Sequence, residues 1–108
     1  MILSLEQAKA IVAETWLPTF SQRWGTSAMI NDKKTTEWDW GWQFTCEPAD
    51  PSRVSPENDR WPWRYVLVDR LTGNIELVGR SGPKFAFERL MQSREQKLNE
   101  MRGEQKPI

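Results

Sequence analysis

The segment EWDWGWQF, residues 37–44, sets a tryptophan at every second position. Successive side chains of a β-strand point to opposite faces, so Trp38, Trp40, Trp42, Phe44 and Cys46 share one parity, and Glu37, Asp39, Gly41, Gln43, Thr45 and Glu47 share the other. The alternation predicts a strand over residues 38–47 with one apolar face. An aromatic side chain buries roughly 150 to 250 Å². At about 25 cal/mol/Å² one covered indole therefore contributes on the order of 4 to 6 kcal/mol, against a net domain stability of only about 5 to 15 kcal/mol. The three indoles are expected as the floor of a small core, roofed by helices that contribute Trp16, Phe87 and Leu90. The opposing reading is a platform on which bases or sugar rings stack. A base platform comes with a basic groove that tracks phosphate, whereas the alternate parity here carries Glu37, Asp39 and Glu47.

With 108 residues, the chain has room for one core and too little for two. The expected organisation is a single domain over residues 1–102 and a disordered tail over residues 103–108. Fifteen basic and fifteen acidic side chains cancel, so the long-range field that draws a protein to nucleic acid or an anionic membrane is missing. No apolar run approaches the roughly 20 residues of a membrane span. Cys46 has no second cysteine to pair with, and the N-terminus lacks the basic flank and apolar run of a signal peptide. A cytoplasmic, soluble protein is expected.

Ser4 followed by Gln7 has the spacing of a capping box. It predicts a helix over residues 5–17, with Leu5, Ala8, Val12 and Trp16 as its apolar stripe and Pro18 as its stop. Residues 20–25 are expected as loop, and residues 27–33 as a short strand ending at the turn-prone Asn31–Asp32 pair. Residues 48–62 hold four prolines and one aliphatic side chain, Val54, and read as a long loop. Residues 64–69, RYVLVD, and residues 74–78 predict a hairpin turned by residues 71–74, in which Gly73 supplies positive φ. Tyr65 to Val68 are apolar on both parities, as in a strand covered on both faces. Pro83 then opens a second helix carrying Phe87, Leu90, Met91, Arg94, Leu98 and Met101 at helical spacing.

Histidine is absent, which removes the commonest general base and metal ligand. Cys46 falls on the tryptophan parity and reads as a small buried hydrophobe rather than a nucleophile. Glu37, Asp39, Glu47, Asp50 and Asp69 are the carboxylates from which an acid–base pair would have to be drawn; as residues of a solvated sheet face they need no catalytic role. The glycines of GRSGP lack the lysine of a phosphate-binding loop. No cofactor and no metal are implied. Trp61 and Trp63, in WPW, fit either a plug at the core edge or an exposed contact.

WQF at residues 42–44, YVLVDRLTG at residues 65–73, NIELVG at residues 74–79 and Pro83 follow one another in an order that resembles the immunity protein 35 family, also called YrhB-like, of small bacterial domains. The resemblance covers about half of the chain and implies a cytoplasmic, non-enzymatic protein that neutralises a cognate toxin from a neighbouring gene. Beside it stand a general protein-binding or chaperone-like module and, less in keeping with the residues, a carbohydrate binder or carboxylate-dependent enzyme. The expected fold is α+β in two layers. An antiparallel sheet of three or four strands carries an N-terminal and a C-terminal helix on its tryptophan face. Toxin contacts are expected from the long loop: Asp50, Arg53, Glu57, Asp59 and Arg60 as a charged rim, and Trp61 as an aromatic anchor. Neither nucleic acid nor membrane is an expected partner, and monomer and homodimer both remain open.

Overall fold

The structure, a computed structural model, describes residues 2–59 and 64–104. Ser4 caps helix α1 (Leu5–Thr15) through the anticipated reciprocal bonds: the Gln7 amide donates to Ser4 Oγ at 3.2 Å, and the Ser4 amide donates to Gln7 Oε1 at 2.8 Å. Pro18 does not end the helical region, as the sequence reading had it. It sits in the first turn of a second helix, α2 (Leu17–Trp24), where a missing N–H costs nothing. The expected loop over residues 20–25 is therefore mostly helix. Its reason is apolar: Trp16, Phe20 and Trp24 recur every four residues, Trp16 stacks on Phe20 at 5.8 Å and Phe20 tilts onto Trp24 at 5.4 Å, and Phe20 and Trp24 are buried. Gly25, at φ 72°, closes α2 in the left-handed region.

The sheet is an antiparallel meander. Strands β1 (Ala28–Ile30) and β2 (Thr36–Trp38) pair successive lengths of one edge of β3 (Gly41–Pro48); β4 (Tyr65–Asp69) lies on the other edge, followed by β5 (Ile75–Val78). Between β1 and β2, Asn31 accepts from the Lys33 amide and turns the chain, as its sequence suggests. Gly73, at φ 75°, completes the β4–β5 turn. A single turn of helix, α3 (Pro56–Asp59), interrupts the long loop, and Val54 packs on the core. Helix α4 (Pro83–Glu104) opens at the expected proline and continues through Gly103 and Glu104, the first two residues of the expected tail; residues 105–108 lie outside the described residues.

The chain is thus α+β, with an antiparallel sheet between N-terminal and C-terminal helices. The helices, however, divide between the faces. Trp42, Phe44, Cys46, Val66 and Val68 point to α1 and α2 and pack on Ala8, Val12, Phe20 and Trp24. Leu67 and Val78, of the opposite parity, point to α4 and pack on Ala86, Leu90, Phe87 and Met91. The expected sharing of the tryptophan face holds for α1, with Trp16, and not for α4: Phe87 and Leu90 roof the reverse side. Strand β4 supplies both layers, as its two-sided apolar pattern requires.

Candidate functional site

The expected single strand over residues 38–47 is broken by a turn. Trp38 pairs with Gly41, and Asp39 and Trp40 form the tip of a hairpin between β2 and β3. Glycine is obligatory at position 41: at φ 153° a Cβ would lie 1.9 Å from the Val68 carbonyl oxygen. The turn gives three tryptophans of one sequence parity different surroundings. Trp42 is 1% exposed beneath α1 and α2, whereas Trp38 is 42% exposed and Trp40 half-buried on the α4 side. Trp38 and Trp40 stack in near-parallel planes, 5.2 Å between centroids and 11° apart, and Trp40 tilts onto Phe87 at 5.0 Å. Beside them runs a mainly apolar groove of about 250 Å³, floored by Gln43 and Leu67 and walled by Pro83, Lys84 and Phe87.

Two arginines fix this tip from opposite faces. Arg70 lies over the Trp42 ring at 4.5 Å, and its Nη2 donates to Glu37 Oε2 and to the Trp38 carbonyl, each at 2.9 Å. Its amide donates to the Trp40 carbonyl at 2.8 Å. Arg94 of α4 donates from Nε and Nη2 to the two carboxylate oxygens of Asp69, at 2.7 and 2.8 Å, and from Nη2 to the Trp40 carbonyl at 3.2 Å. Asp69 has no exposed surface and also accepts from the Leu71 and Thr72 amides. Burial pushes its carboxyl upward, but Arg94 and the two amides outweigh burial and hold it below the usual range. A bidentate, amide-supported pair is rigid. The aromatic ledge consequently stands on a backbone held at both carbonyls.

The contact residues expected from the sequence lie elsewhere. Asp50, Arg53 and Glu57 are exposed beyond the Pro48 end of β3, while Trp38 and Trp40 stand at the Gly41 end. Eight strand residues separate the two places by roughly 23 Å at about 3.3 Å per step. Asp50 accepts from the Ser52 amide and hydroxyl and lies 3.9 Å from Arg53, a local turn held by its own side chains. The Asp59, Arg60 and Trp61 side chains, like Trp63, lie outside the described residues. Sequence reasoning missed the Trp38–Trp40 ledge because it took the alternation as one uninterrupted strand. The signal was Asp39–Trp40–Gly41, a polar residue and a glycine two apart, where a tight hairpin can close.

The carboxylates singled out for acid–base work each have a separate partner or stand alone. Glu37 pairs with Arg70, which holds its carboxyl low, and Glu47 is likewise lowered by Lys34 and Asn31. Asp69 belongs to Arg94, Asp50 to its turn, and Asp39 is exposed at the hairpin tip. Burial, with a smaller effect of Glu47, pushes the Cys46 thiol up to about 12, so it stays protonated at neutral pH. Among the described residues, no three His, Cys, Asp or Glu side chains gather as a metal site, and no helix is long and apolar enough to cross a membrane. Comparison of the chain with protein-family models, with curated proteins and with solved structures finds no match.

Proposed function

We propose that this protein is a cytoplasmic binding domain that neutralises a cognate protein toxin by direct contact, with the Trp38–Trp40 ledge as its anchor. The observation that carries the reading is an exposed tryptophan stacked on a second one, over a backbone clamped by Arg70 and Arg94. Tryptophan in a partly enclosed apolar setting is a favoured energetic centre of protein interfaces. A ledge already fixed in place loses little conformational entropy on binding. Around it, Lys84 and Asp39 form a polar rim of mixed sign, suited to orienting a partner and rejecting wrong ones. The choice of a toxin as the partner rests on the resemblance of the motif order to the immunity protein 35 family. Neutralisation by contact needs no cofactor and no catalytic group on this chain.

The test is co-expression with the product of the neighbouring reading frame, followed by co-purification and calorimetry. A stable complex with protection of the cell is expected, and Trp38→Ala should weaken it at least about thirtyfold, the effect of a central interface residue. Substituting Asp50, Arg53 and Glu57 together tests the opposite end of β3: a larger loss there than at Trp38 moves the anchor to the loop. Cell death despite co-expression, with no complex formed, overturns the reading.

A further inference from the structure

Strand β5 ends the sheet, and its outer side is recessed between helices. Two clefts run along it. One, of about 530 Å³, lies between Trp16 on one wall and Phe85, Ala86 and Arg89 of α4 on the other; the second, of about 620 Å³, lies between Ile11 and Thr15 of α1 and Ser93 and Gln96 of α4. Ile75 borders both. The Asp69 amide donates to the Asn74 carbonyl at 2.8 Å, and these residues stand opposite each other in the register that continues through Leu67↔Glu76 and Tyr65↔Val78. Hydrogen-bonded and non-hydrogen-bonded pairs alternate along an antiparallel ladder. Glu76 and Val78 thus turn their main-chain groups toward β4, while Ile75 and Leu77 turn theirs outward to the clefts. Among the described residues no strand pairs with β5 on that side.

We propose that this edge takes an extended segment of a partner protein, added antiparallel to β5 as a further strand, with an acidic side chain at its N-terminal end. The outward N–H and C=O groups of Ile75 and Leu77 have the spacing to which an extended main chain pairs. The walls favour a lone segment over a second copy of this domain, whose own α1 and α4 would compete for the space occupied by Trp16 and Phe85. Every pairing in the sheet is antiparallel, the more stable arrangement per residue, and charge then places the acid. The N-terminal end of an antiparallel segment falls beside Gly79, where Arg80 is exposed to meet the acidic side chain, while Arg89 is engaged by Glu76 at 3.1 Å. This surface is separate from the tryptophan ledge, and its test is independent of any toxin.

The probe is a blocked hexapeptide, Glu followed by alternating Val and Thr, titrated into the isotopically labelled full chain. Shifts centred on the Ile75 and Leu77 amides, with slowed exchange of those two protons, are expected. N-methylation of alternate peptide nitrogens should abolish them. Replacing the peptide Glu by Lys, or introducing Arg80→Glu, should weaken binding about tenfold, the effect of one charge-assisted contact. Arg80 is exposed, so this variant should melt with the parent. No binding up to the solubility limit, undiminished binding of the N-methylated or Lys peptide, shifts confined to Trp38 and Trp40, or concentration-dependent dimerisation through β5 would each overturn the proposal.

Discussion

Beneath α1 and α2 the sheet is sealed by large apolar side chains; beneath α4 it has a small apolar centre, two ion pairs and an open aromatic ledge. The difference follows from what each helix offers. α1 and α2 contribute Val12, Phe20 and Trp24 within a short length, enough to cover Trp42 and Phe44 completely. Over its described length, α4 buries only Ala86 and Leu90, and must complete its docking with Arg89 on Glu76 and Arg94 on Asp69. Burial by apolar contact is strong and nondirectional, whereas a buried, hydrogen-bonded charge pair fixes geometry more than it adds stability. One face therefore holds the fold, and the other holds a surface in place.

The sharpest way to break this contrast is on the sealed face. Trp42→Ala should cost about 3 to 5 kcal/mol in urea unfolding, the range for a large aromatic lost from a packed core. A cost near that of an exposed site would mean that the two faces do not differ. On the α4 face, Asp69→Asn should cost about 2 kcal/mol, because it weakens charged hydrogen bonds without opening a cavity. The sign of its pH dependence is fixed by the lowered carboxyl: the contribution is complete above the unfolded value of about 3.9 and is lost as pH falls through the lower folded value. Melting curves across the acid range should therefore show a steeper decline for the parent than for Asp69→Asn.

Smaller effects sharpen the division. Ser4→Ala removes the α1 cap and should cost about 1 kcal/mol, leaving Arg94 and the ledge untouched in side-chain NMR. Trp38→Ala should cost only about 1 kcal/mol of stability, the order of its stacking on Trp40. Its larger effect belongs to partner affinity in calorimetry, and equal losses of stability and affinity would merge the roles of the two faces.

Much of the fold was legible because it depends on local pattern. The Ser4–Gln7 box, the Gly73 turn, the two-sided apolar run of β4 and Pro83 at a helix start each act through bonds or torsions within a few residues. The errors arose where a local signal admits two outcomes. Pro18 is as compatible with a first turn as with a stop, and only the burial of Phe20 and Trp24 decides between them. The Trp38–Trp42 alternation suits one strand or a hairpin with Asp39 and Trp40 at its tip, and the pairing of Trp38 with Gly41 decides that case. The ledge escaped for the same reason, since a parity argument assigns all three indoles to one face.

By itself the sequence determined an α+β chain rich in indole, without histidine and without net charge, because composition, caps and short periodicities act along the chain. Which tryptophan is sealed and which is left exposed was decided only in three dimensions. Arg70 and Arg94 come from a turn and a distant helix to meet the carbonyls of Trp38 and Trp40, a convergence that no spacing along the chain specifies. The physical reason is that burial depends on what lies across the sheet, and hydrogen-bond satisfaction at a turn depends on which donors the tertiary packing brings to it.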